Sequence, residues 1–223
     1  MPAFKHFVAG ALTLAAIATQ PVSAATMIDD FSLPVPAAVI QILNDPNPQT
    51  IVTNLGGGTT RTAIFTVLST PVLFSSLNGG IGGGVLAAGF NPVSFGTVDV
   101  NYVFAAPVDL SAENFFLIES AAGVGPVVTA DVVLQTAAGN LTRTFILPAG
   151  GGFVGNYLDF SGFAGLGDRS QTNGVQIRFN GSASSSLLID SVQTTTQTPE
   201  PGTALTMLLA VPALAALRRR AKA

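Results

Sequence analysis

Two glutamates are the side chains best placed for catalysis in the stretch from Ala25 to Pro201. Glu113 and Glu119 lie six residues apart, with "FFLI" between them. A glycosidase needs only two carboxyl groups flanking the scissile bond. The same stretch contains no Cys, His or Lys, which excludes Ser-His-Asp, Cys-His and Schiff-base chemistry. We therefore expect no enzyme, and expect both glutamates to be solvated residues at strand ends.

Calcium is the metal that the remaining side chains would suit, because it prefers hard oxygen ligands. Asp29 and Asp30 lie near the start of this stretch, and Asp190 lies in its last strand-like segment. If the first and last strands are neighbours, Asp30 and Asp190 could share a calcium ion, and Asp29 could join them. Alternatively, Asp29 and Asp30 cap the first strand and Asp190 faces water. The absence of His and Cys excludes a typical zinc site.

The charge of this stretch argues against nucleic acid as a partner. Its basic residues are four arginines against twelve carboxylates, a net charge of −8. A negative surface repels the phosphate backbone. The chain also has no cysteine, so no disulfide can stabilise it and its core must do so.

Short segments with alternating apolar and polar residues predict an all-β protein. In "TVDVNYVF", Val98, Val100 and Tyr102 share one face with Phe104, and Asp99 and Asn101 share the other. We expect eight to ten strands in an antiparallel jelly-roll-like β-sandwich. The glycine-rich "NGGIGGG" predicts a flexible hairpin loop, since no Lys or helix follows to form a phosphate site.

The N-terminal residues have the three parts of a secretory signal peptide. Lys5 and His6 precede an apolar run of about a dozen residues. Small side chains then predict cleavage between Ala24 and Ala25. This assigns residues 1–24 to a signal peptide and residues 25–193 to a β-sandwich ectodomain.

The C-terminal residues follow a different plan. Residues 194–198 predict a polar linker, and residues 199–223 form a tail. Gly202 to Leu217 is apolar, and a helix of that length would cover about 24 Å, slightly less than a bilayer core. Arg218, Arg219 and Arg220 would remain in the cytoplasm by the positive-inside rule. The pattern predicts a single short transmembrane helix with the sandwich outside the inner membrane.

The tail closely resembles the PEP-CTERM sorting domain. The resemblance covers about 25 residues: Pro199-Glu200-Pro201, a short apolar helix and the Arg cluster. It departs at Pro212, which leaves the motif intact. The segments "IDDFS" and "LLIDSVQTT" also look like PEP-CTERM ectodomains of jelly-roll type.

The resemblance implies a set of partners and a destination. Exosortase of a Gram-negative bacterium would recognise Pro199, Glu200 and Pro201, after signal peptidase has cut the other end. The protein would be held briefly in the inner membrane and then reach the cell surface or an exopolysaccharide matrix.

Four functions remain open for the sandwich. The first is a non-enzymatic surface or biofilm-matrix protein, with exopolysaccharide as a partner. The second is a carbohydrate-binding module of jelly-roll type, although the chain has no Trp and only two Tyr. The third is a hydrolase that uses Glu113 and Glu119. The fourth is ice or surface binding by Thr-rich strands, for which the sequence has no regular Thr-x-Thr array.

Overall fold

The structure is a computed structural model that describes residues 26–33, 37–43, 47–68, 76–122, 126–147 and 152–196. The predicted signal peptide with its Ala24–Ala25 cleavage site lies outside these residues. So do the Pro199-Glu200-Pro201 motif, the predicted transmembrane helix and the Arg218–Arg220 cluster. Among the residues described, no helix is long and apolar enough to cross a membrane.

The described residues form fourteen strands and two single turns of 3-10 helix at 160–162 and 169–171. The strands are β1 Thr26–Asp29, β2 Ala38–Leu43, β3 Gln49–Gly56, β4 Thr59–Val67, β5 Ser76–Gly82, β6 Val85–Phe90, β7 Gly96–Val108, β8 Phe115–Ala122, β9 Val128–Thr136, β10 Gly139–Leu147, β11 Val154–Asp159, β12 Ala164–Gly165, β13 Thr172–Gly181 and β14 Ser186–Thr195.

These strands make two antiparallel sheets that share one core, which confirms the predicted all-β sandwich. The first sheet has the order β11-β8-β14-β6-β5-β2, and β1 pairs with β14. The second sheet has the order β12-β10-β9-β13-β7-β4-β3. The first and last strands are therefore neighbours, as expected.

Period-two alternation determines which side chains enter the core. On β7, Val98, Val100 and Tyr102 are fully buried, as predicted, whereas Asn101 points to the other face. A shift in register interrupts the alternation in β14. Its pairing with β8 shifts between Ile189 and Ser191, so a β-bulge keeps both Ile189 and Val192 inside.

The glycine-rich segment "NGGIGGG" is mostly strand, which corrects the prediction of a flexible loop. β5 continues to Gly82, and only Gly83 and Gly84 form the turn, both with positive φ. A Cβ at Gly79 would lie 2.7 Å from the Phe65 ring of the opposite sheet. This glycine therefore serves close packing between the two sheets.

Other differences concern strand number and the domain boundary. Fourteen strands exceed the predicted eight to ten because several short ones, such as β2, β6 and β11, carry weak alternation. β14 ends at Thr195, so the first two residues of the predicted 194–198 linker belong to the last strand.

A buried ion pair joins the two sheets inside the core. Asp29 lies on β1 of the first sheet, and Arg61 lies on β4 of the second. Arg61 Nη1 donates to Asp29 Oδ2 at 2.6 Å, and the exposed fractions of the two side chains are 0% and 3%. Since a charge is costly to bury without a partner, each side chain makes the burial of the other tolerable.

Neighbouring groups satisfy most of the remaining donors and acceptors of this pair. Tyr102 donates to Asp29 Oδ2 at 2.9 Å, and the Phe31 amide donates to Asp29 Oδ1 at 2.9 Å. Arg61 Nη2 donates to the Leu33 carbonyl and, at 3.3 Å, to Thr53 Oγ1. Phe31 has a φ of 51°, a region that aromatic residues rarely adopt, and the Asp29 bond holds its backbone there.

We expect Arg61→Ala to lower the free energy of unfolding by about 3–5 kcal/mol, because Asp29 would remain buried without its cation. The measurement is urea unfolding at neutral pH. Arg178→Ala is the matched control, because Arg178 pairs with Asp99 on the outer side of the second sheet and its own side chain is 50% exposed. That loss should be smaller, about 1–2 kcal/mol, because Arg178 itself is half exposed and Asp99 keeps its hydrogen bond from Thr97. Equal losses for the two variants would contradict a structural role of the buried pair.

Stability should also fall in alkali because of Tyr102. Burial raises the pKa of Tyr102 well above its usual value, and the adjacent Asp29 carboxylate raises it further. The folded state therefore holds this proton more tightly than the unfolded chain does. The contribution of this bound proton to the free energy of unfolding is complete below about pH 10. Above that pH the contribution is lost, by up to about 1.4 kcal/mol per pH unit.

Tyr102→Phe should flatten this alkaline slope when unfolding free energies are measured between pH 9 and 12. Tyr157→Phe is the control, since Tyr157 is 38% exposed and lies on the outer surface. An unchanged slope in Tyr102→Phe would rule out Tyr102 as the source.

Candidate functional site

The two glutamates considered as an alternative hydrolytic pair lie in separate surroundings. Glu113, in the loop before β8, accepts a hydrogen bond from Thr26 Oγ1 at 3.3 Å. Glu119, within β8, accepts one from Ser191 Oγ at 3.0 Å. Glu113 lies two residues before β8 begins at Phe115, and the strand from Phe115 to Glu119 already spans about 13 Å. A glycosidase pair needs about 5–9.5 Å, so the structure does not bring these carboxyl groups to one bond.

The aspartates considered for calcium are also separated by their roles. Asp29 is held by Arg61 and Tyr102 inside the core. Asp30 is exposed, and hydrogen bonds from Ser32 lower the pKa of its carboxyl group. Asp190 is half-buried on β14. Within the described residues, no three His, Cys, Asp or Glu side chains gather in a group that could hold a metal ion.

A different polar cluster covers the outer surface of the second sheet, which we call the polar face. Alternation and strand register bring together the outward side chains of β4, β7, β13, β9 and β10. Most are hydroxyl, amide or charged groups: Thr62, Thr66, Thr97, Asp99, Asn101, Thr129, Asp131, Gln135, Thr142, Thr144, Gln176, Arg178 and Asn180.

A row of charges crosses the centre of the polar face. Arg178 on β13 is the register partner of Asp99 on β7 and of Asp131 on β9. Arg178 Nε donates to Asp99 Oδ1 at 2.6 Å. The row therefore has one carboxylate on each side of the guanidinium, and neighbouring strands are about 4.8 Å apart.

Neighbouring side chains hold both carboxylates in position. Thr97 Oγ1 donates to Asp99 Oδ2 at 3.1 Å. Thr144 Oγ1 donates to Asp131 Oδ1 at 2.6 Å, and Asn180 Nδ2 donates to Asp131 Oδ2 at 3.0 Å. Because these bonds already exist without a ligand, binding would order few side chains at this surface.

The centre of this row leaves groups available to a ligand. No partner among the described residues contacts the two terminal nitrogens of Arg178, whose side chain is half exposed. Arg178 borders a shallow depression of about 150 Å³ together with Asp131, Val133 and Gln176. The site therefore offers guanidinium donors and amide and carboxylate acceptors around a small apolar patch.

The sequence alone indicates which residues of this site point outward on each strand. The outward positions of Asp99 and Asn101 on one strand, and of Gln176, Arg178 and Asn180 on another, follow from alternation. The missing information was which strands are neighbours. Threonines do gather on the polar face, but the charged row separates them, so no regular threonine array forms.

The chain matches no protein-family model, and no curated protein is similar to it. Several solved structures resemble it distantly. The solution structure of CtCBM11 aligns with a TM-score of 0.46 at 11% identity, over 81% of this chain and 99% of that one. The family 11 carbohydrate-binding module of the cellulase Lic26A-Cel5E of Clostridium thermocellum gives 0.40 at 13% identity, over 78% and 95%.

A larger protein resembles it to a similar degree. The structure of PfGH50B aligns with a TM-score of 0.41 at 16% identity over 69% of this chain, which spans 23% of PfGH50B. All three TM-scores are below 0.5. These similarities are too distant to support a functional argument, and any function has to follow from the residues of the chain itself.

Proposed function

We propose that this chain is a carbohydrate-binding protein without enzymatic activity, built on a jelly-roll-type sandwich. The observation that carries the proposal is the Asp131–Arg178–Asp99 row on the polar face. Adjacent sugar hydroxyls act as donor and acceptor in pairs, and fixed carboxylates and guanidinium groups match such pairs well. The exposed sheet could accept an extended polysaccharide without a deep pocket.

The charge of the site favours a neutral polysaccharide. The row carries two carboxylates and one guanidinium, and the stretch from Ala25 to Pro201 has a net charge of −8. A polyuronate would be repelled by this field at low ionic strength. Neutral chains supply hydroxyl groups without that repulsion.

We expect the purified protein to bind soluble neutral glucan, xylan or galactan and to bind alginate more weakly. Arg178→Ala should weaken binding about tenfold or more, since a hydrogen bond to a charged group contributes about 1.5–3 kcal/mol. Gln176→Ala should weaken it about fivefold, by about 1 kcal/mol. Affinity electrophoresis in gels containing each polysaccharide measures these changes.

Gln41→Ala is the matched control for Gln176→Ala. Gln41 is likewise on a strand, but it is exposed and lies on β2 in the other sheet. The Gln41→Ala variant should bind neutral polysaccharide with the affinity of the wild type. Wild-type affinity in both Arg178→Ala and Gln176→Ala, with the fold intact by circular dichroism, would contradict the assignment to the polar face.

We further propose that the protein is exported and sorted by exosortase to the cell surface or extracellular matrix. The support is the order of features in the tail: Pro199-Glu200-Pro201, an apolar run and the Arg218–Arg220 cluster. A signal-peptide-like segment at residues 1–24 is consistent with that route. A polysaccharide-binding domain would then retain the protein within an exopolysaccharide matrix.

Mass spectrometry of the protein from its own cell envelope tests this route. We expect an N-terminus at about Ala25 and a C-terminus near Pro201, without the Arg cluster. Glu200→Gln should reduce removal of the tail if exosortase recognises the motif. An intact tail in the mature protein would show a permanent anchor instead.

A further inference from the structure

Tyr157 occupies a notable position on the side of the sandwich opposite the polar face. It lies on β11 at the edge of the first sheet, points outward and is 38% exposed. The Phe115 ring meets it edge-on, with centroids 6.1 Å apart and an angle of 84°. The only other tyrosine of the chain, Tyr102, is fully buried. Tyr157 is thus an exposed aromatic ring whose position is fixed by a second ring.

Glycine at position 155 makes room for this ring. Gly155 lies two residues before Tyr157 on the same face of β11, and a Cβ there would lie 3.0 Å from Tyr157 Cε2. The same Cβ would lie 3.2 Å from Leu117 Cδ1. The Tyr157 ring therefore lies close to the sheet over Gly155, which is the register partner of Glu119.

Polar groups with free acceptors lie on β8 and β14, the two strands that follow β11 across the sheet. Ser191 Oγ donates to Glu119 Oε2 at 3.0 Å, and Gln193 Nε2 lies 3.4 Å from the same hydroxyl. These bonds fix Glu119 and Gln193, while no partner among the described residues contacts Glu119 Oε1 or Gln193 Oε1. Leu117, the register partner of both Tyr157 and Gln193, lies between them as an apolar base.

This combination matches the chemistry of a neutral sugar ring. A pyranose has an apolar C–H face that packs on an aromatic ring, and hydroxyl groups at its edge that donate to carboxylate and amide oxygens. A purely structural role for Tyr157 would explain its contact with Phe115. It would not explain the two acceptor oxygens on β8 and β14, which are held in place by Ser191 and have no partner of their own among the described residues.

We propose that Tyr157, Glu119 and Gln193 form a second sugar-binding site. Because the two sheets share one core, this site and the polar face point in opposite directions. A protein with both sites would hold two polysaccharide chains and cross-link them. The cross-linking rests on the proposed function of the polar face, whereas the second site stands on its own residues.

The chain itself supplies an optical probe for the test. It contains no tryptophan, and its one other tyrosine is buried, so a change in tyrosine emission on adding sugar reports Tyr157. The ligands are neutral cello-, xylo- and galacto-oligosaccharides, added to the purified full chain. We expect the emission to change with a ligand that binds, and calorimetry to give two sites per chain.

Three variants separate the roles of the residues. Tyr157→Ala should leave one site, and Tyr157→Phe should keep both because it retains the ring. Glu119→Gln should weaken the second site about tenfold, since it replaces a charged acceptor with a neutral one. Phe153→Ala is the control, because Phe153 is also an exposed aromatic residue, 46% exposed, just before β11. It should bind like the wild type.

The failures of the two sites can be told apart. If Arg178→Ala abolishes all binding and tyrosine emission never responds, the second site is wrong and the polar face stands. If emission responds and Tyr157→Ala abolishes all binding, the second site stands and the polar face fails.

Light scattering of long neutral polysaccharide tests the cross-linking, and it should rise only with both sites intact. Scattering that persists in Tyr157→Ala would overturn cross-linking, and binding of no neutral sugar would overturn both sites.

Discussion

The Arg61–Asp29 ion pair is the interaction on which the arrangement of the two sheets depends. It holds β1 of the first sheet against β4 of the second, in a core whose other described members are mostly apolar. Apolar packing tolerates small shifts, whereas a buried charge pair is favourable in one geometry only. Tyr102, Phe31 and Thr53 add hydrogen-bonding or ring contacts to this pair, so the alignment is specified by several elements at once.

The same alignment gives the sandwich two outer surfaces of different chemistry. On the second sheet, adjacent strands bring Asp131, Arg178 and Asp99 into one row. On the first sheet, β11, β8 and β14 bring Tyr157 beside Glu119. The members of each group lie on different strands, so they are distant in sequence. Both surfaces are held by existing hydrogen bonds or ring contacts, which reduces the ordering that binding would require.

Alternation in the sequence was sufficient to predict the fold class and the inner faces of several strands. Val98, Val100 and Tyr102 are buried as expected, because period two is a property of the extended backbone alone. Weakly alternating segments give no clear strand signal, and the glycines of "NGGIGGG" indicate a loop although Gly79 lies in a strand and packs against Phe65. The outward residues of the polar face could be assigned to their strands but not to each other.

The sequence by itself determined a β-sandwich without nucleophilic His, Cys or Lys between Ala25 and Pro201, and it predicted a sorting tail that lies outside the described residues. Tertiary structure decided where the carboxylates are used. Asp29 lies in the core and pairs with Arg61. Asp99 and Asp131 lie on the polar face, on either side of Arg178. Glu113 and Glu119 lie apart, each with its own hydrogen-bond partner. The physical reason is that side-chain direction is local, whereas strand pairing and bulges depend on the whole sheet.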